Sequence, residues 1–157
     1  MTQINTGACV AYTPKQMYDL VNDAAAYPRY LPLCSEVAIC SQGEDRLTAK
    51  ITLAKGKIKL DFTTANVMED GKRIDMDLVD GPFKYLHATW LFSPTSDGGA
   101  EVSFKLDFEF SNPLLRVAFG SFFKGIVESM VGAFCEQAAL RYGDPHGSGV
   151  AAHKANT

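Results

Sequence analysis

The chain has 157 residues, 46% of them hydrophobic and 21% charged, enough for one domain with a packed core and unlike a disordered composition. With 15 basic against 18 acidic residues and a formal charge of −3, it lacks the cationic excess of a general DNA binder, so no DNA partner is expected. Cys9, Cys34, Cys40 and Cys135 form no C-x-x-C pair and have no histidine at zinc-finger spacing, and the segment "MTQINTGACVAYT" is no secretory leader, so a cytoplasmic protein with reduced thiols and no metal is expected.

Residues 3–12 alternate, with Ile4, Thr6, Ala8, Val10 and Tyr12 on one side, and predict a first strand. In "TPKQMYDLVND", Thr13 is a candidate cap, Pro14 suits a first turn, and Met17, Leu20 and Val21 share a helical face. "DAAAYP" adds a further short turn, and Pro28 and Pro32 in "YPRYLPLC" prevent a longer helix. From residue 35 to 110 the period becomes two. "SEVAIC", "RLTAKITLA", "KIKLDFTTANVM", "RIDMDLV", "KYLHATWLF" and "AEVSFKLDFEF" predict six strands, separated by turn signals such as "MEDGK" and "VDGPF". One face of each is apolar and the other wet, the mark of an antiparallel sheet.

After "SNP", with Asn112 or Ser111 as cap, a helix is predicted over 113–142. At about 100° per residue, Leu115, Phe119, Phe122, Phe123, Ile126, Met130 and Phe134 fall on one broad face. Arg116, Lys124 and Glu128 interrupt the apolar run, which argues against a simple transmembrane span. The last residues, 143–157, are small and polar and predict a disordered tail, leaving a folded domain over 1–142. The order of elements contains no βαβ alternation. The fold class expected is α+β: a strand, two short helices, a meander, and a long helix against the concave face of a curved seven-stranded antiparallel sheet.

Three stretches then suggest a family: "YPRYLPLC" at 27–34, "LVDGPFKYLHATWLF" at 78–92 and "LDFEFSNPLLRVAFGSFFKGIVESMVGAF" at 106–134. Together with the element order they resemble the helix-grip fold of the START and polyketide-cyclase superfamily, and within it the coenzyme Q-binding subfamily, whose bacterial members include the ribosome-association toxin. The resemblance covers about residues 1–142 and departs at Leu33, where many members carry Trp or Gly. It implies a hydrophobic tunnel that holds a polyprenyl quinone, ubiquinone first among them, as a bound ligand and not as a catalytic cofactor. It also implies an alternative, docking on the large ribosomal subunit to block subunit joining; a cyclase or aromatase is the third reading.

On this reading the expected ligand-contacting residues are Tyr30, Leu33, Leu60, Phe62, Met76, Phe83, Leu86, Trp90, Phe104, Phe119, Phe123, Ile126 and Met130. Ordinary core packing is the competing account of Trp90 and of the helix-face residues. The segments "YPRYLPLC" and "VDGPF" and the start of the last helix are expected to form a gate, with Leu114, Leu115 and Phe119 touching a membrane surface transiently, peripheral to the inner membrane. Gly120, Gly125 and Gly132 weaken that helix and suit either close packing or mobility. Catalysis is not expected: His87 falls on the wet strand face, and no carboxylate pair stands on an apolar one. Lys50, Lys55, Lys57 and Lys59 form a local basic group, either a solvated face or a contact for ribosomal RNA or lipid head groups.

Overall fold

The computed structural model describes residues 2–143 and 152–154. Strand β1 (Thr2–Val10) leads into helix α1 (Pro14–Asn22) and a 3₁₀ turn (Ala24–Arg29). The meander follows as β2 (Cys34–Gln42), β3 (Arg46–Lys55), β4 (Ile58–Glu69), β5 (Arg73–Asp80), β6 (Phe83–Pro94) and β7 (Ala100–Phe110), and then helix α2 (Pro113–Tyr142). A three-residue strand, β8 (Ala152–Lys154), adds to the outer edge of β1. Of the tail expected to be disordered, Gly143 caps α2, and residues 144–151 and 155–157 lie outside the described residues.

All strands are antiparallel, in the order β2-β3-β4-β5-β6-β7-β1-β8. The chain thus forms a helix-grip fold, a curved seven-stranded sheet around a long C-terminal helix, to which β8 is appended. Sequence neighbours pair throughout the meander, and β1 closes the set by pairing with β7, Thr2 opposite Phe108 and Val10 opposite Ala100. Register shifts at Cys34/Glu36, Ile39/Ser41, Thr63/Thr64 and Phe83/Tyr85 mark bulges, which bend strands and increase twist.

The local signals act as expected. The Thr13 hydroxyl accepts from the Gln16 amide at 3.1 Å while Gln16 Oε1 accepts from the Thr13 amide at 2.9 Å, a reciprocal capping box. Asn112 Oδ1 accepts from the Leu115 amide at 3.0 Å and starts α2. Ile4, Thr6, Ala8, Val10 and Tyr12 are all buried. Helix α1 fastens to the sheet where Tyr18 meets Phe92 edge-on at 5.7 Å.

Helix α2 departs from its expected packing. Its buried residues are Phe123, Ile126, Val127, Val131, Phe134, Cys135 and Ala138. Leu115, Phe119, Phe122 and Met130 are only partly buried. The helix grips the sheet through its later turns, whereas the periodicity offered Leu115 to Phe134 as one continuous apolar face.

Gly81 shapes the turn between β5 and β6. Its φ is +148°, and a Cβ there would lie 2.7 Å from Phe62 Cβ and 3.2 Å from Phe62 Cα. Gly81→Ala should therefore cost about 1–3 kcal/mol, read as a lower urea midpoint, because neither the backbone nor Phe62 can relax freely.

Candidate functional site

A cavity of about 80 Å³ lies between the concave sheet face and α2. Strand alternation supplies its sheet wall: Ile51 and Leu53 from β3, Phe62 from β4, Met76 from β5, Leu86, Ala88 and Trp90 from β6, and Phe104 and Leu106 from β7. Phe123, Ile126, Val127 and Met130 of α2 form the roof, and Tyr27, Leu31, Pro32 and Cys34 close one side.

Phe123 packs at one end of the roof, its ring 4.9 Å from Phe108, 5.2 Å from Phe83 and 6.0 Å from Phe62. Toward the helix C-terminus, Trp90 is 4.5 Å from Phe104 and 5.5 Å edge-on from Phe134, and Phe134 also meets Tyr27 at 5.5 Å. Aromatic rings in such edge-on arrangements fix one another's positions.

Of the side chains expected to meet a ligand, Phe62, Met76, Leu86, Trp90, Phe104, Phe123, Ile126 and Met130 line this cavity. Five do not. Leu33 adopts φ +61° and its side chain is 39% exposed. Its carbonyl accepts the Ala54 amide at 2.8 Å, so a left-handed residue turns the chain into β2 with Leu33 outside and Cys34 inside. Tyr30 packs edge-on against Tyr27 and Phe134, and Tyr27 takes the position on the cavity instead. Leu60 is buried opposite Leu53, which is the member of that pair on the cavity. Phe83 is buried against Phe62, Phe110 and Phe123, and Phe119 is partly buried in the less covered part of α2.

The unforeseen lining residues divide into two kinds. Ile51, Leu53, Ala88 and Leu106 follow the same alternation as their foreseen neighbours and were legible. Tyr27, Leu31, Pro32 and Cys34 depend on the path of the 3₁₀ turn and its exit, for which periodicity carries no signal, and Val127 of α2 joins the roof four residues after Phe123.

The lining is apolar except for Tyr27 and Cys34. The Tyr27 hydroxyl donates to the Val21 carbonyl. Burial, first of all, raises its pKa well above the ordinary phenol value, and burial likewise pushes the Cys34 thiol up. Both stay protonated at neutral pH, and neither is a ready base or nucleophile. His87 lies on the exposed outer face, with Nδ1 2.7 Å from Asp77 Oδ1.

Lys50, Lys55, Lys57 and Lys59 are exposed around the β3–β4 hairpin. Lys50 Nζ is 4.0 Å from Asp61 Oδ2, which partly offsets its charge.

Residues 10–135 match the family described as polyketide cyclase / dehydrase and lipid transport. The chain belongs to that family. Among curated proteins, the chain is 40% identical to the ribosome association toxin RatA of Vibrio cholerae, over 92% of this chain and 100% of the relative. It is 25% identical to the mitochondrial coenzyme Q-binding protein COQ10 of Drosophila melanogaster, over 87% of this chain and 58% of that one. Among solved structures, the Zhui aromatase/cyclase from Streptomyces superposes with a TM-score of 0.81 at 12% identity, covering 93% of this chain and 98% of that one. That last likeness is one of fold.

Proposed function

We propose that the chain binds a polyprenyl quinone, ubiquinone first among them, non-covalently in the cavity under α2 and hands it on in support of respiratory electron transfer. The observation that carries this reading is the lining itself, a continuous apolar wall on sheet and helix with two uncharged polar side chains. Such a wall suits partition of an isoprenoid tail, at about 25 cal/mol per Å² removed from water. The family description and the similarity to COQ10 support a lipid ligand. The same lining supports a non-enzymatic role, because cyclisation chemistry needs acids and bases near the substrate and the cavity offers a protonated phenol and thiol.

At about 80 Å³ the cavity is smaller than the roughly 300–1,000 Å³ of typical ligand pockets, so the quinone must widen it. Met76 and Met130, both partly buried and unbranched, are the side chains best able to give way. Trp90 is the single tryptophan and lines the cavity, so its fluorescence reports entry. Titration with short-chain ubiquinone should quench it saturably; fluorescence that follows only bulk collisional quenching would count against the proposal.

The 40% identity to RatA over that protein's full length favours a second reading, association with the large ribosomal subunit that blocks subunit joining. The β3–β4 hairpin is the surface we assign to it, since Lys55, Lys57 and Lys59 are exposed cations that attract RNA phosphates. Reversing these three to Glu should abolish co-sedimentation with large subunits and leave quinone quenching intact. If neither property changes, the hairpin is only a solvated edge.

A further inference from the structure

A second pocket, of about 300 Å³, opens where the end of α1 and the start of the 3₁₀ turn face strands β2 and β3. It shares no lining residue with the cavity under α2. Its volume reaches the lower end of the roughly 300–1,000 Å³ typical of small-molecule sites.

One atom in this pocket lacks a partner. Asn22, the last residue of α1, lines the pocket, and its Oδ1 is buried with no hydrogen-bond donor among the described residues. A buried acceptor left unpaired destabilises a fold, and a donor that reaches it reverses that loss.

The surroundings set the charge of the donor. Asp19 and Asp23 line the pocket beside Asn22. Lys15 Nζ lies 2.9 Å from Asp19 but also 2.5 Å from Asp70, and Arg141 Nη1 lies 3.7 Å from Asp23. Two cations are thus divided among three carboxylates. The β2–β3 turn that follows Gln42 adds Glu44 and Asp45 against Arg46. The last turn of α1 carries no basic residue, so nothing within that helix offsets the negative end of its dipole. An ammonium group, all donor and no acceptor, complements this end of the pocket.

The remaining wall sets the shape. Ile39 of β2 and Leu47 of β3 give it an apolar stretch, and Gln42 places a further amide on the strand side. Polar groups at the helix end and on the strand side, with apolar side chains between, match two ammonium groups joined by a short alkyl chain.

We propose that this pocket binds a free aliphatic diamine. One ammonium donates to Asn22 Oδ1 beside Asp19 and Asp23, the methylenes lie along Ile39 and Leu47, and the second ammonium donates to the Gln42 amide oxygen. The site is independent of the lipid-binding reading above.

The test uses the full chain and isothermal titration calorimetry with cadaverine, the five-carbon diamine. Binding should be saturable, at one molecule per chain. Tetramethylammonium, a cation without donors, and pentanediol, the uncharged analogue, should each bind about tenfold or more weakly. Asn22→Leu should weaken cadaverine binding by about tenfold or more, and because it removes an unpaired acceptor it should not lower the urea midpoint. Asp19→Asn with Asp23→Asn should weaken binding by about tenfold or more, and Gln42→Leu, on the strand wall, by about threefold or more. Quenching of Trp90 by short-chain ubiquinone should be unchanged in all of them. No saturable binding by the parent overturns the proposal. Equal binding of tetramethylammonium overturns it too, since the pocket would then be only a counterion surface. Unchanged affinity in Asn22→Leu or in the double aspartate variant also overturns it. Preference for N-acetyl-lysine methylamide over cadaverine assigns the pocket to a lysine of a partner protein, against the proposal.

Discussion

Ala88→Leu is expected to leave the protein folded and to weaken quinone binding by nearly two orders of magnitude. Ala88 is 1% exposed and stands on the cavity between Leu86 and Trp90, opposite Met76 on one side and Leu106 on the other. A leucine there occupies space that an isoprene unit would take. Losing about 100 Å² of ligand contact removes about 2.5 kcal/mol, a factor on the order of seventy in Kd. Because the added methyl groups can enter the existing void of about 80 Å³, overpacking should cost the fold no more than about 1–3 kcal/mol. Trp90 quenching and a urea melt on the same sample separate the two effects. Unchanged affinity would place the ligand elsewhere.

Phe134→Ala should have the largest effect on stability of any single truncation in α2, about 3–5 kcal/mol. Its ring is 1% exposed and holds Trp90, Tyr27 and Tyr30 edge-on at 5.5, 5.5 and 5.7 Å. Removing it leaves a void next to the cavity and frees the indole from one wall. Against a typical stability of about 5–15 kcal/mol, that loss is a large fraction of the total. Phe119→Ala, fifteen residues earlier on the same helix, should cost no more than about 1 kcal/mol, since Phe119 is only partly buried. Urea denaturation of both variants measures the contrast; similar losses would contradict the uneven grip of α2.

That contrast also shows what was legible in the sequence. The strict alternation of Val102, Phe104, Leu106, Phe108 and Phe110 determined which face of β7 is buried, and all five are. Asn112 and Pro113 marked the start of α2 for a physical reason, since one accepts an orphan amide and the other needs none. Periodicity could place Phe119 and Phe134 on similar faces but could not say where the sheet stops beneath them. Burial of a helix depends on its partner's extent, which is a long-range property. The reversal at Leu33 was hidden for a different reason: a left-handed non-glycine residue is uncommon, and nothing in "LPLC" forces it. The 3₁₀ turn brings Tyr27 to the lip of the cavity in place of Tyr30, and the reversal at Leu33 leaves Leu31 there in its stead. The cavity wall follows the alternation; its lip follows the path of the 3₁₀ turn and the reversal at Leu33.

The central claim is that the cavity under α2 is a lipid site. Organic-solvent extraction of the protein purified from its native host, followed by mass spectrometry, tests it most directly. The account predicts a polyprenyl quinone recovered at a substantial fraction of one molecule per chain, and a clear reduction in the Ala88→Leu variant. Recovery of no quinone or other lipid from the parent, together with no quenching of Trp90 by short-chain ubiquinone, would contradict it.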